Sequence, residues 1–226
     1  MASIDNNKQI IWHIDILPRD TKKALDFLST QNWLKQSQWY LAGGTALALS
    51  VGHRISLDLD FFIPRKEFNL EQLIAKFPKD VWTTDIAREG TVYGRLLGVK
   101  VSFIAYPFFI SKEKLISYGA IQILDPRDIA VMKAIAISQR GRKRDFVDFY
   151  WYCKNKEPLA DVLRRLPHQY PTVAHDYHHI LKSFMYFKDA EEDPMPKIFF
   201  KATWRDIREY FEREVPRITK EFLGLT

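Results

Sequence analysis

The stretch from Leu41 to Pro64, LAGGTALALSVGHRISLDLDFFIP, constrains this chain more than any other. Apolar Trp39, Tyr40 and Leu41 lead into Gly43-Gly44-Thr45. An alanine- and leucine-rich run follows, and Leu57-Asp58-Leu59-Asp60-Phe61 then alternates apolar with acidic. This order reads as strand, glycine turn, short helix and strand. Strand side chains alternate faces, so Asp58 and Asp60 are expected to point the same way, roughly 7 Å apart at ~3.3 Å per residue, with Leu57, Leu59 and Phe61 turned into a core. Two carboxylates aimed at one spot repel each other unless a cation joins them, and a hard, oxygen-liganded ion such as Mg²⁺ is the simplest choice. Upstream, a Gly-Gly-Thr turn opening a helix offers uncovered backbone N–H groups at the positive end of a helix dipole, which makes a phosphate seat. Each half has a plainer reading, with Thr45 as a helix N-cap and the two acids solvated on a sheet face. A phosphate seat followed one short helix later by a metal-binding pair is harder to explain by caps and solvation alone.

GGTALAL followed by GHRISLDLDFF resembles the nucleotidyltransferase toxins of the AbiEii/AbiGii (MenT-like) group, within the DNA polymerase β-like nucleotidyltransferase superfamily. Gly44, Thr45, Asp58 and Asp60 match its glycine turn, short helix and D-x-D strand one by one. The family also implies a lysine and a later aspartate in a helical half, and Lys133 and RDFVDFY, from Arg144 to Tyr150, are similar to those motifs. The resemblance runs from about Trp39 to Tyr152 and fades beyond.

The resemblance implies an α+β fold, a polymerase β-like sheet with helices followed by a helical C-terminal domain. It also implies Mg²⁺-dependent transfer of a nucleotide from a nucleoside triphosphate to an acceptor hydroxyl, such as the 3′ end of a tRNA or another RNA, by a toxin that has a cognate antitoxin. Asp58 and Asp60 would hold the metal. Gly43, Gly44, Thr45, Lys133 and Arg140 would grip the triphosphate, and Lys133 with Asp145 or Asp148 would complete the catalytic set. One position departs from the pattern, because Ser102 stands where a third carboxylate is often found. A catalytically inactive scaffold that binds RNA or a protein partner is the alternative, with Ser102 as the trace of lost catalysis.

Composition narrows the classes. A chain of 226 residues can build one sizeable core or two small ones sharing a cleft. No apolar run approaches the ~20 residues of a membrane span, and MASIDNNKQ lacks the basic-then-apolar pattern of a signal peptide, so a cytoplasmic protein away from membranes is expected. The lone Cys153 excludes an intrachain disulfide and a cysteine-based metal site. Net charge is +6, with Arg140, Arg142, Lys143 and Arg144 clustered, which favours polyanionic partners. His168, His175, His178 and His179 have no ligand-like spacing with acids and read as a polar helix face rather than a zinc site.

Along the chain, Ile10 to Ile16 is a short lead-in. Pro18-Arg19-Asp20 opens a helix whose apolar face runs through Ala24, Leu25, Phe27, Leu28, Trp33 and Leu34. Asn69 to Phe77 fits a short helix. Val81 to Ala87, Thr91 to Leu97 and Val99 to Tyr106 read as antiparallel strands joined by tight turns, in a sheet of about five strands. Ile121 to Leu124 looks like a last strand, and Asp125-Pro126-Arg127-Asp128 is a strong helix start. The boundary between residues 1–124, the nucleotidyltransferase domain, and residues 125–226, the helical domain, is placed here. Lys133, in AVMKAIAIS, either snorkels at a core edge or reaches an anionic ligand. Asp145 and Asp148 share a helix face, where they can cap, pair with Arg144, complete the acidic cluster, or orient Arg140, Arg144 or Lys133. Beyond Pro158, helices are expected over Leu159 to Leu166, Pro171 to Phe187 and Trp204 to Leu223, with a polar break from Lys188 to Pro196.

Overall fold

A computed structural model describes residues 11–224. The start of the chain that was read as lacking a leader, and Ile10, lie outside these residues. After a 3₁₀ turn at Ile14–Ile16, helix α1 (Arg19–Ser29) buries Thr21, Ala24, Leu25 and Leu28, the spacing of one helical face. The expected single helix ends there, and Trp33 and Leu34 belong to a separate short helix, α2 (Asn32–Lys35).

Strand β1 (Tyr40–Ala42) then runs into α3 (Gly43–Val51). Thr45, Ala46, Leu47, Ala48 and Leu49 of α3 are all buried, which its nearly uninterrupted apolar sequence requires of a helix enclosed on every side. Strand β2 (Leu59–Ile63) follows, then α4 (Leu70–Ile74), capped by the Asn69 side chain. A meander comes next, formed by β3 (Trp82–Arg88), β4 (Thr91–Leu96) and β5 (Val99–Ala105), and it pairs antiparallel as its tight turns predict. Two further strands, β6 (Ile116–Tyr118) and β7 (Ile121–Ile123), complete a seven-stranded sheet in the order β3-β4-β5-β2-β1-β7-β6. The sheet is wider than the one of about five strands expected, and β6 is the strand that no sequence pattern had marked.

The D-x-D segment differs in detail from its expectation. Leu59 and Phe61 are buried as the alternation requires, but β2 begins at Leu59. Asp58 therefore precedes the strand, and Leu57 is exposed rather than in the core.

From residue 125 onward the chain is helical. Helix α5 (Pro126–Arg140) starts as its sequence dictates, with the Asp125 side chain accepting from Arg127 N and Pro126 at the first turn, and ends at Gly141 in the left-handed region, φ 50°. Asp128 is not a surface dipole partner but is buried, where it accepts from Ser111 Oγ, Lys112 N, Glu113 N and the Gln169 amide and so pins the loop before β6. Helix α6 (Lys143–Asn155) packs across α5; α7 (Leu159–Arg164) and α9 (Tyr177–Ser183) also pack on α5, α8 (Leu166–Gln169) on α7, and α10 (Lys188–Glu191) and α11 (Trp204–Leu223) on α6. Of the expected helix from Pro171 to Phe187, only Tyr177–Ser183 is α-helical. One buried apolar cluster spans both the sheet and the helices, from Leu17 through the Phe61–Phe103 stack to Phe149 and Phe211. It runs without a break across residue 124.

Candidate active site

The start of α3, β2, β5, α5 and α6 surround a cleft of about 570 Å³, within the range of small-molecule sites. The glycine turn at its polar end can be traced to local sequence. Gly43 has φ +71°, a conformation that disfavours side chains, and a Cβ there would lie 3.1 Å from Asp60 Oδ2. A Cβ on Gly44 would lie 2.3 Å from Arg54 Nη2. The turn therefore presses its bare backbone against a carboxylate on one side and a guanidinium on the other.

Asp58 and Asp60 both face this cleft. Asp60 sits on β2 opposite Ser102 of the parallel strand β5, and Ser102 Oγ donates to Asp60 Oδ1 at 2.6 Å. The serine that stands where a carboxylate was anticipated thus holds one oxygen of Asp60 and leaves Oδ2 toward the glycine turn. Asp58, outside the strand, is held by its backbone: Thr45 Oγ1 donates to the Asp58 carbonyl and can accept from Ser56 Oγ, 2.8 Å away, and Thr21 Oγ1 donates to the Leu57 carbonyl at 3.1 Å. Thr45 is buried, does not border the cleft and does not cap α3, whose first position is preceded by Ala42. Its expected contact with a phosphate gives way to this tether, because its side chain points into the helix–loop junction.

Lys133 borders the same cleft and is almost fully buried. Its ammonium lies 2.7 Å from Asp145 Oδ1 and 2.6 Å from Asp148 Oδ2. Asp145 and Asp148 have no exposed surface and do not border the cleft. The expectation that one of them joins the acidic pair is corrected here: they stand behind the cleft wall and orient the cations that form it. Asp145 accepts from Lys133 and from Arg140 Nε at 3.0 Å, while Asp148 accepts from Arg54 and lies 2.7 Å from His53 Nε2. Arg140 is half-exposed and borders the cleft.

The network settles its protonation states. Burial opposes ionisation of Asp148, but Arg54 and Lys133 outweigh it and hold the carboxyl well below the usual range. Asp145 is shifted the same way by Lys133 and Arg140 against the same burial. His53 is pushed down, first by burial and then by Arg54 and Lys133, against its bond to Asp148, and is neutral at physiological pH.

Arg54 and Ser56 are cleft residues that sequence reading passed over. Their signal was present: Arg54, Ser56, Asp58 and Asp60 alternate at every second position, which continues the D-x-D period upstream and lines one side of the cleft. The basic run from Arg140 to Arg144, read as a polyanion patch, is largely engaged. Arg142 pairs with Asp193 at 2.7 Å, Lys143 is buried against the Glu191 and Asp193 carbonyls, and Arg144 Nη1 lies 3.4 Å from Asp58 Oδ2. Among the described residues no three His, Cys, Asp or Glu side chains gather as a metal site. Asp58 and Asp60 are the residues here that could hold a hard divalent ion, with phosphates and water as its other ligands.

A family model for the nucleotidyl transferase AbiEii toxin of type IV toxin–antitoxin systems matches residues 26–223. The chain is 36% identical over 195 residues to an uncharacterized protein of Aquifex aeolicus (strain VF5), covering 83% of this chain and 89% of that one. In fold it is similar to an H. pylori protein assigned as a nucleotidyltransferase, with TM-score 0.52 and 17% identity over 92% of this chain and 99% of that one. It is also similar in fold to MenT4, a nucleotidyltransferase toxin of Mycobacterium tuberculosis, with TM-score 0.51 and 13% identity over 88% and 86%.

Proposed function

The chain belongs to the AbiEii nucleotidyltransferase toxin family, and from that premise we propose that it transfers a nucleotide from a nucleoside triphosphate to an acceptor hydroxyl on RNA, such as the 3′ end of a tRNA, with Mg²⁺ as cofactor. One observation carries the reading: Asp58 and Asp60 share a single cleft with the glycine turn and Lys133.

Asp58 and Asp60 would hold the metal, which when bound neutralises triphosphate charge and acts as a Lewis acid. The backbone of Gly43 and Gly44 seats phosphate oxygens at the start of α3, where N–H groups and the helix dipole converge. Lys133, fixed by two buried carboxylates, presents its charge without having to reorganise during reaction, the condition under which electrostatic stabilisation is largest. The acceptor hydroxyl gives up its proton to solvent as its oxygen bonds to the α-phosphorus, the bond from the α-phosphorus to the bridging oxygen breaks, and pyrophosphate leaves. The apolar part of the cleft, with Ile104, Met132 and Tyr106, gives the nucleoside a dry wall.

The family supplies the toxin–antitoxin setting, so a cognate antitoxin is the expected protein partner. The net charge of +6 supports an RNA acceptor. No helix among the described residues is long and apolar enough to cross a membrane, and the proposed site of action is the cytoplasm. Incubation of pure protein with Mg²⁺, each α-labelled nucleoside triphosphate and total RNA tests the proposal. Label should enter RNA with the wild type and not after chelation. Label that enters no RNA species with any of the four nucleotides would remove the RNA acceptor, and label transfer that persists without divalent metal would remove the cofactor.

A further inference from the structure

We propose that Arg54 is the side chain that reads the outer phosphates of the nucleoside triphosphate, and that Asp148 is its positioning residue; the inference rests on the triphosphate reading of the cleft. Arg54 is only 3% exposed, yet it borders the cleft. Its Nε and Nη2 donate to the two oxygens of Asp148, the second at 2.8 Å, and Nη1 donates to the Ile55 carbonyl at 2.9 Å. A guanidinium carries five N–H groups. One N–H on each Nη is therefore left without an acceptor among the described residues. Each Nη thus keeps an N–H that can donate to a phosphate oxygen.

They lie beside Gly44, where an added Cβ would fall 2.3 Å from Nη2, so a side chain there would displace the guanidinium. The unsatisfied donors thus adjoin the bare backbone that opens α3, a helix of nine residues. Arg54, Lys133 and Arg140 are three cations gathered at this wall of the cleft, each held in place by Asp145 or Asp148 behind it. Thr45, the other candidate at the turn, has its hydroxyl turned away toward Ser56 and the Asp58 carbonyl. Asp148 grips Arg54 through two parallel bonds and so fixes the direction of the free N–H groups. Lysine at position 54 would keep the charge and lose the guanidinium's fixed donors.

Calorimetric titration of wild type and Arg54→Lys with an α,β-methylene nucleoside triphosphate, and separately with the matching nucleoside, tests the assignment, with thermal melts confirming the fold. Triphosphate affinity should fall at least about tenfold in Arg54→Lys, the scale of a lost charge-assisted contact, while nucleoside affinity stays as in the wild type. A structural role alone would move both together. Arg54→Lys binding the triphosphate as tightly as the wild type overturns the proposal. Wild-type protein that binds no triphosphate overturns the underlying reading as well, so the two failures are distinct. A crystal structure of the wild type with the same analogue decides the matter even where Arg54→Lys does not fold. An Arg54 Nη within ~3.2 Å of a phosphate oxygen supports the assignment, and a nearest phosphate beyond ~6 Å overturns it.

Discussion

Asp58 and Asp60 look equivalent in sequence, but they are held by different means: Asp60 by its place in β2 and by Ser102, Asp58 by backbone bonds from Thr45. Neither carboxylate is needed for packing. Asp58→Asn and Asp60→Asn should each abolish nucleotide transfer and leave the melting temperature unchanged or raised, since each removes one of two like charges; full transfer by both folded variants would dismiss the metal pair. Thr45→Val should behave in the opposite way. It strips a buried hydrogen-bonded hydroxyl and should cost about 1–3 kcal/mol of stability, with metal-free triphosphate affinity unchanged, as read by urea denaturation and titration. An unchanged stability would dismiss the tether. His53 sets a pH window. Its folded pKa is lowered below the ordinary 6.5 by burial, so the unfolded chain takes up a proton that the native state refuses, and stability must fall as pH drops through 6.5. Melting temperature measured from pH 7.5 to 5 should decline in the wild type and decline less in His53→Gln; parallel profiles would show that another group governs this range.

Among the elements, α6 has the most distinctive task, because its two buried aspartates, one turn apart, hold cations supplied by α5 and by the segment before β2. Their folded pKa values lie below the unfolded one, so their stabilisation is complete above about pH 4 and is lost as pH falls toward the depressed values. Removing one charge leaves others buried and unpaired. Asp148→Asn should therefore cost about 3–5 kcal/mol, whereas Asp125→Ala, which deletes only the cap of α5, should cost about 1 kcal/mol. Denaturant midpoints giving equal losses for the two would contradict the role of α6 as the electrostatic backing of the cleft.

Across the whole molecule, the boundary at residue 124 marks a change from sheet to helices, while the apolar core passes through it. The cleft likewise draws its glycine turn and acids from one side of the boundary and Lys133, Arg140 and Arg144 from the other. A fragment of residues 1–124 would expose one wall of that core and leave Arg54 without Asp148. Expressed alone, it should show no cooperative thermal transition and no triphosphate binding. A sharply melting, nucleotide-binding fragment would establish the first 124 residues as an independent domain.

Local sequence determined the glycine turn, the start of α5 at Asp125-Pro126 and the antiparallel meander, because each depends on a backbone preference or on a period within a few residues. The R-x-S-x-D-x-D alternation even carried Arg54 and Ser56 in its spacing, although the side they share could be recognised only with the cleft in view. Tertiary structure decided the rest. Whether Asp148 meets a metal or a guanidinium depends on Arg54, 94 residues away, and whether Thr45 faces a phosphate or a carbonyl depends on how the loop through Asp58 returns onto α3. Charge pairing in a low-dielectric interior is set by distance in space, and a linear pattern records only which charges are available to pair.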